Sequence, residues 1–541
     1  MLSLVLVTLM QGGSALTVVD DLIRSEQDIV HYDITLSIPD AENVVDATAR
    51  VRYAIGGGVG PLVLDFDSTY LVDSVLGTEG SQDPTATRWN WNRGPSRDQD
   101  QLIVQHWGQS GDTLAVTVYY RGTPSDGLVI GTNVHGRRAA FADNWPNRAH
   151  HWFPCEDHPS DKATVQFTIE VPAEWRAVAN GRLLGVDTLA SERLVWRWRE
   201  DRPIPVHTMV VGTGEMSVAV LGDSDAVRQT VWTFPEDSAF AVQRPFRRAA
   251  EMLAVMSRVV GPFPYEKLAH VESSTRYGGM ENSSAIFYAE RGYADRTMGE
   301  GVVAHEIAHQ WFGDAVSQRD WHHLWLSEGF ASYFGPLFFE LIGEAETFAS
   351  AMRSNRTRYL QSAVVARPVI DTAVDNAFEL LNANNYQKGA WVLHMLRAEL
   401  GDSVFFAGIR DYYELFRDST VLTSDFAAVM SRRAGRSLDW FLMQWLLQPG
   451  YPQLEVSWSY RETVGSVSVT VHQVQPRDWG VFRLRLPLLL QFDGGAEEQV
   501  LIDASGWVDT HEVSAAEPPI RVVLDPEGSL LMVVARVERG D

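Results

Sequence analysis

Two histidines lie four residues apart with an acid between them, in the pentapeptide His305-Glu306-Ile307-Ala308-His309. Residues i and i+4 of a helix share one face, so both imidazoles could reach one metal ion at about 2.0–2.1 Å. Glu306 lies too close in sequence to complete the ligand set well, but it could take a proton from a water that the metal activates. The alternative is a solvated helix that carries two ordinary histidines.

A catalytic zinc also needs a third protein ligand and an open coordination position. The pattern His-Glu-x-x-His-x-x-Gly-x-x-His of one zinc protease class is excluded, because Phe312 and Ala315 occupy its glycine and last histidine positions. Glu328 is the candidate instead, since it lies in an apolar, aromatic-rich segment where a bare carboxylate would be costly without a partner. The alternative for Glu328 is an exposed helix residue.

Hydrophobic periodicity predicts the elements that position these groups. Period-two alternation predicts strands over about the first 215 residues and again after Pro449-Gly450, whereas three-to-four spacing predicts helices from about 240 to 445. Expected helices cover 300–315, 325–342 and 386–400, and a short strand is expected at 268–271. The predicted order is a β domain, a helical domain and a second β domain.

The composition excludes several classes of protein. The chain has 541 residues, of which 45% are hydrophobic and 18 are Trp, so several cores can form and disorder is excluded. Asp and Glu number 70 against 45 Lys and Arg, and the net charge of −25 argues against a nucleic-acid partner. A single cysteine, Cys155, excludes an intrachain disulfide and a cysteine-rich metal site. No apolar run is long enough to predict an integral membrane segment.

The first residues resemble part of a secretory signal. The apolar run from Leu2 to Leu9 is followed by small residues at 12–15, as in the core and cleavage region of such a signal, although no basic residue precedes Arg24. Residues 1–16 are therefore expected to be a signal remnant. A periplasmic or secreted location is favoured over the cytoplasm.

Five separated motifs resemble the aminopeptidase N and leukotriene hydrolase family of gluzincin zinc metallopeptidases. They follow the order and spacing of that family over essentially the whole chain after about residue 25. They are Gly278-Gly279-Met280-Glu281-Asn282, His305-Glu306-Ile307-Ala308-His309-Gln310-Trp311-Phe312-Gly313, Trp325-Leu326-Ser327-Glu328-Gly329-Phe330-Ala331, Tyr386-Gln387-Lys388-Gly389-Ala390, and Pro154-Cys155-Glu156-Asp157 with Lys162-Ala163.

The resemblance implies a role for each residue at the metal. His305, His309 and Glu328 would hold one Zn²⁺ per chain. Glu306 would be the general base, and the phenol of Tyr386 would stabilise the oxyanion together with zinc. The alternative for Tyr386 is a core tyrosine on an amphipathic helix.

The resemblance also implies that residues 278–282 bind substrate. Glu281 would bind the free α-amino group by charge pairing, which makes the enzyme an exopeptidase. The backbone of Gly278 and Gly279 would line the peptide path, with Met280 and Asn282 in the same segment, although an ordinary turn is the alternative. The resemblance assigns Cys155 a structural position, so it is not interpreted as a nucleophile.

The fold implied is multidomain α+β. It consists of an N-terminal antiparallel, saddle-like β-sandwich domain at 17–213, a thermolysin-like, mainly helical catalytic domain at 214–448 and a small C-terminal β-sandwich domain at 449–541. The large C-terminal helical domain of longer family members is expected to be missing. A more open cleft is therefore expected, and epoxide hydrolase activity is not.

The sequence departs from the family at one substrate-binding position. Many members carry a Gln or Glu about twelve residues before the Asp of the Pro-Cys-x-Asp motif, where Trp145 stands here. Amine recognition is therefore expected to rest on Glu281 with help from Asp143 or Asn144, and Trp145 is expected to cap the first subsite.

The predicted function is a zinc-dependent aminopeptidase that hydrolyses the N-terminal residue from peptides with a free amino terminus. One alternative is a non-catalytic assembly or binding module, but such relatives usually lose a ligand or the base, and neither is lost here. The other alternative is an endopeptidase, against which Glu281 argues.

Overall fold

The computed structural model describes residues 27–57, 60–78, 87–88, 96–106, 108–224 and 227–540. The predicted signal segment, residues 1–16, lies outside these residues. No helix in the described ranges is both long and apolar enough to cross a membrane. The described residues form two compact units: the first comprises those within 27–348 and 409–426, and the second those within 349–408 and 427–540.

The N-terminal part of the first unit consists mainly of strands. Alternation buries one side of them, as in β1, where Ile34 and Leu36 are fully buried between more exposed neighbours. The strands are β1 (Gln27–Ser37), β2 (Val45–Ile55), β3 (Leu62–Asp65), β4 (Leu71–Thr78), β5 (Thr87–Arg88), β6 (Ser96–Asp98), β7 (Gln101–Val104), β8 (Thr113–Gly122), β9 (Leu128–Thr132), β10 (Arg138–Ala142), β11 (Lys162–Val171), β12 (Arg176–Ala179), β13 (Arg182–Thr188), β14 (Leu194–Pro205) and β15 (Val211–Gly214).

These strands form three sheets. Their orders are β13-β14-β11-β1-β2-β8-β4-β5, β12-β15-β10-β9 and β3-β7-β6. The pairing differs from the antiparallel expectation in one place, because β1 and β11 run parallel with Tyr32 opposite Val165. A long stretch of chain separates these two strands, so no hairpin dictates their direction.

The rest of the first unit up to residue 348 mixes strands and helices around a five-stranded sheet of order β16-β17-β18-β20-β19. Its elements are β16 (Ser217–Ser224), β17 (Val227–Thr233), α1 (Ser238–Gln243), α2 (Ala249–Val259), β18 (Lys267–Ser273), β19 (Gly279–Met280), β20 (Ala285–Ala289), α3 (Glu290–Ala294), α4 (Glu300–His309), β21 (Val316–Gln318) and α5 (Trp325–Leu341).

Three predictions for this region can be compared directly with the structure. The short strand predicted at 268–271 is confirmed as β18, and the helix predicted at 325–342 is confirmed as α5. The helix predicted at 300–315 ends earlier, at His309. It is followed by a turn in which Gly313 has a φ of 124°, a conformation that ends a helix and favours glycine.

Further helices follow α5, and β21 pairs in parallel with a later strand, β22. The elements are α6 (Ala345–Leu360), α7 (Gly389–Leu400), α8 (Asp402–Phe416), β22 (Ser419–Val421), α9 (Thr423–Ala434) and α10 (Asp439–Leu447). The helix predicted at 386–400 begins differently, because a π-helical turn at Asn384–Lys388 precedes α7.

The β pattern predicted after residue 449 is confirmed. The strands are β23 (Gln453–Arg461), β24 (Ser466–Gln473), β25 (Leu484–Gln491), β26 (Glu497–Ala504), β27 (Val508–Ser514), β28 (Arg521–Leu524) and β29 (Val533–Arg539). They form two sheets, of order β27-β24-β23-β29 and β26-β25-β28. Each buries alternate side chains, such as Val469 of β24 and Leu488 of β25.

Candidate metal centre

Helices α4 and α5 carry the predicted metal ligands, and they pack closely. A Cβ added at Gly335 of α5 would lie 2.9 Å from the Cα of His305, so glycine is required for this approach. The other side chains of α5 are almost all buried. This packing brings Glu328, in the first turn of α5, to the histidines of α4.

The structure brings the three predicted ligands together. The Nε2 atoms of His305 and His309 are 3.1 Å apart. Oε2 of Glu328 lies 3.4 Å from Nε2 of His305 and 3.3 Å from Nε2 of His309. Ligands bound tetrahedrally at about 2.0–2.1 Å lie about 3.3 Å from one another, so the spacing and the two-nitrogen, one-oxygen donor set both fit zinc.

The orientation of His309 is set by its other ring nitrogen. Its Nδ1 lies 3.1 Å from the carbonyl oxygen of Phe312 and 3.0 Å from Oγ of Ser327. Donation from Nδ1 to the carbonyl makes Nε2 the nitrogen that a metal would bind in place of a proton. Gly313 permits the arrangement, because a Cβ there would collide with Oγ of Ser327.

Two more buried carboxylates lie beside the ligands. Donor atoms of Glu281, Glu306 and His309 all lie within 4.8 Å of one another, and both glutamates are about 5–6% exposed. The backbone of Gly279 lies against Glu306, since an added Cβ would come within 2.6 Å of its Cγ. At Gly278, by contrast, a Cβ would meet no atom within 4 Å.

The charges of this cluster shift one another's pKa values. Burial raises the pKa of Glu281 and raises that of Glu306 far above its ordinary value. Burial opposes protonation of His309, but the carboxylates of Glu281 and Glu328 outweigh it and raise its pKa to about 10. Three carboxylates crowded around two histidines are an arrangement that a bound cation would stabilise.

Trp145 lies near the 278–282 segment. Its ring packs edge-on against Trp321 at 5.2 Å and against Tyr277 at 6.1 Å between centroids. Only 2% of Trp145 is exposed, whereas Tyr277 is half-buried. A substrate would therefore meet Tyr277 more directly than Trp145.

The two neighbours expected to help bind an amine are engaged elsewhere. The Asp143 carboxylate pairs with Arg148 at 3.1 Å and with Arg276 at 3.2 Å. The Asn144 amide donates to the carbonyl of Met209 at 2.7 Å and accepts from Trp152 at 2.8 Å. These contacts do not support the expected role of either residue.

Two family models match the chain. The Peptidase M1 N-terminal domain matches residues 29–207, and the Peptidase family M1 domain matches residues 246–445, which include the ligand cluster. The chain belongs to peptidase family M1. Its multidomain α+β fold agrees with that membership.

Several M1 relatives are similar to this chain. Aminopeptidase M1-A of Oryza sativa is 28% identical over 66% of this chain and 43% of its own length. Aminopeptidase N of Lactococcus lactis is 29% identical over 56% of this chain and 38% of its own length. Leucyl aminopeptidase of Saccharolobus solfataricus is 26% identical over 66% of this chain and 46% of its own length. The chain thus spans less than half the length of these relatives.

The remaining predicted M1 residues are placed as follows. Met280 and Asn282 are buried. Cys155 is fully buried and exchanges backbone hydrogen bonds with Asp65, which suits a structural position. Tyr386 belongs to the second unit, where it is half-buried in the π-helical turn. Such turns are frequent at functional sites, and the role of Tyr386 stays a prediction.

A second cluster of possible ligands, His135, Asp237 and Glu272, lies elsewhere in the first unit. Nε2 of His135 lies 2.6 Å from Oδ2 of Asp237, and Nη1 of Arg296 donates to Oδ1 of Asp237 at 2.7 Å. The shorter spacing and the guanidinium indicate a hydrogen-bonded ion pair rather than a metal centre.

The sequence did not indicate a role for three residues that the structure places around the predicted metal ligands. Gly313 and Ser327 support the ring of His309, and Gln310 contacts the 278–282 segment. All three lie inside the quoted motifs. Gln310 and Ser327 lie directly beside predicted ligands in the sequence, but Gly313 does not, and such proximity does not reveal which atoms a residue contacts.

Proposed function

We propose that this chain is a zinc-dependent aminopeptidase that hydrolyses the N-terminal residue from peptides, with Glu306 as general base. The observation that carries the proposal is the placement of two further buried carboxylates, Glu281 and Glu306, beside a ligand set with tetrahedral spacing. Family membership supports it, because M1 peptidases are generally zinc-dependent and the similar M1 relatives include enzymes named aminopeptidases.

His305, His309 and Glu328 would hold the zinc. When bound, Zn²⁺ polarises the scissile carbonyl and lowers the pKa of a water to about 7. Glu306 takes the proton of the attacking water and passes it to the leaving amine.

Glu281 would distinguish an exopeptidase from an endopeptidase. An ammonium group that enters the site brings a positive charge to a buried carboxylate and forms a charge-assisted hydrogen bond. An acetylated terminus carries no such charge and leaves Glu281 unpaired. The site should therefore prefer peptides with a free amino terminus.

The other expectations belong to the proposal as well. Tyr386 would stabilise the oxyanion, and Trp145 would shape the first subsite together with Tyr277. Sequence patterns and motifs support the domain limits at 17–213, 214–448 and 449–541 and the thermolysin-like and sandwich architectures. They also support export from the cytoplasm.

The test uses one peptide in two forms, with a free and an acetylated terminus, each with and without a chelator. Chelator-sensitive release of only the first residue, and only from the free form, is expected. Glu306→Gln should keep one zinc per chain and lose about 10²–10⁴-fold in kcat. Cleavage of both forms would favour an endopeptidase, and zinc binding without cleavage would favour a binding module.

A further inference from the structure

Gln310 follows the ligand His309 directly, and its side chain is fully buried. Its Nε2 donates to the carbonyl oxygen of Glu281 at 2.7 Å and to Oδ2 of Asp314 at 2.8 Å. Its Oε1 accepts from the backbone N–H of Ser284 at 2.8 Å. Two acceptors on one side and one donor on the other fix the orientation of this amide and use both of its N–H groups.

These bonds reach a segment that lies outside the pairing of β19 with β20, although the N–H of Ala269 in β18 donates to the carbonyl oxygen of Ser284 at 3.0 Å. The pairing between β19 and β20 reaches Met280, and β20 begins at Ala285. Residues 281–284 therefore form a turn outside the strand pairing, closed by the N–H of Ala285, which donates to the carbonyl of Asn282 at 2.9 Å. Gln310 binds this turn at both ends, through Glu281 and Ser284.

The turn has an unfavourable backbone conformation. Ser284 has a φ of 62°, in the left-handed region that non-glycine residues rarely adopt. It is held there by Gln310 at its N–H, by the N–H of Gly181 at its Oγ and by Nζ of Lys267 at its carbonyl oxygen, the last two at 2.7 Å. Such a conformation persists only where the surrounding contacts hold it.

We propose that Gln310 is a positioning residue that holds the Glu281 carboxylate at a set distance from the metal ligands, so that the site selects a free amino terminus. The inference rests on the proposed function. Gln310 is the next residue after a ligand on the rigid helix α4, and a single side chain joins it to the main chain of Glu281. Asn180 binds the carbonyl of Ser283 and the N–H of Ala269 that of Ser284, so the part of the turn that can shift without the Gln310 bond is Glu281 at its start. Both ligand histidines would stay in place.

The test measures selectivity rather than rate alone. Gln310→Met removes all three bonds at nearly the same volume. Gln310→Glu keeps an acceptor for the N–H of Ser284 but removes the N–H donors to Glu281 and Asp314. It replaces the Met variant in the test if that variant does not fold. For a variant that folds with one zinc per chain, KM for the free peptide should rise about tenfold, with a smaller change in kcat. The ratio of kcat/KM for free over acetylated peptide should fall about tenfold.

A matched control is Gln444→Met in the second unit. Gln444 is also a buried glutamine that bonds backbone groups on both sides, donating to the carbonyl of Arg483 at 3.2 Å and accepting from its N–H at 2.7 Å. This variant should lower the melting temperature and leave the free-to-acetylated ratio unchanged.

Two failures can be told apart. If the wild-type enzyme cleaves neither peptide or shows no preference for the free terminus, the proposed function is wrong. If the wild-type enzyme shows the preference and a folded, zinc-loaded Gln310 variant keeps it, the positioning role is wrong. A fall in kcat for both peptides by the same factor, with KM unchanged, would also overturn it, because it would indicate general damage to the site.

Discussion

The main chain of Gly279 lies against the carboxylate of Glu306, so close that a methyl group on Gly279 would come within 2.6 Å of Glu306 Cγ. The two residues come from different elements, β19 and α4. The side chain proposed as general base and the backbone proposed to line the peptide path are therefore coupled. A side chain added at Gly279 must displace Glu306.

Gly279→Ala is expected to reduce kcat/KM about 10²-fold while zinc stays bound, because it displaces the base without touching a ligand. Steady-state kinetics and zinc content check this. Gly301→Ala on α4 is the control, since an added Cβ there meets no atom within 4 Å. Near-normal activity in Gly279→Ala would show that the base tolerates displacement.

Ser327→Ala is expected to weaken zinc binding about tenfold, because it removes one of the two oxygens at Nδ1 of His309 and leaves the Phe312 carbonyl. Zinc retained against increasing chelator measures the effect. Ser257→Ala on α2 should retain zinc like the wild-type chain. Equal retention by both variants would mean that the carbonyl alone orients the ring.

Trp145→Ala is expected to change the preferred N-terminal residue towards larger side chains, because removing the ring frees space behind Tyr277. It should also lower the free energy of unfolding by about 3–5 kcal/mol. A panel of peptides that differ in the first residue tests the preference, with Trp196→Ala on β14 as a control for lost stability. An unchanged preference would remove Trp145 from the first subsite.

Glu272→Gln is expected to stabilise the chain increasingly as the pH rises. Burial and the nearby Asp237 raise the pKa of Glu272 from 4.5 to about 10, so the folded chain holds a proton that the unfolded chain releases above pH 4.5. The stability that this proton provides is present below about pH 4.5 and is lost as the pH rises towards 10. The glutamine side chain of the variant does not titrate.

Melting temperatures from about pH 5 to about pH 9 check this expectation, because that range lies between the two pKa values of Glu272. The difference between Glu272→Gln and the wild-type chain should grow more positive across that range. Glu251→Gln, at an exposed position on α2, should show a constant difference. A constant difference for both variants would mean that Glu272 is ionised in the folded chain throughout.

The proximity of the three predicted ligands could be expected from the sequence because the first two are local. His305 and His309 lie one helical turn apart, and Glu328 lies in an apolar segment where a carboxylate needs a partner. The contact between Gln310 and Glu281 could not be predicted, since 29 residues separate the two in the chain and the partner atom is a backbone carbonyl. No residue pattern marks a carbonyl as an acceptor.

The order of the strands in the sheets could not be predicted from the sequence either. Alternation predicted their presence and the faces that are buried, but it contains no information on which strands become neighbours. The parallel pairing of β1 with β11 brings together distant parts of the sequence, and either direction satisfies the same alternation. Trp145 is a similar case, because its burial depends on Trp321 and Tyr277, which come from other parts of the chain.

The close approach of Gly335 to His305 has a consequence for mutational surveys of this chain. Position 335 contributes no side chain and binds no metal, yet every replacement adds at least a Cβ that meets the backbone of α4 at 2.9 Å. A saturation screen scored by loss of activity would therefore rank this glycine with the ligands themselves. Loss of activity on substitution of Gly335 would show how closely α4 and α5 pack, and not that this residue takes part in the reaction.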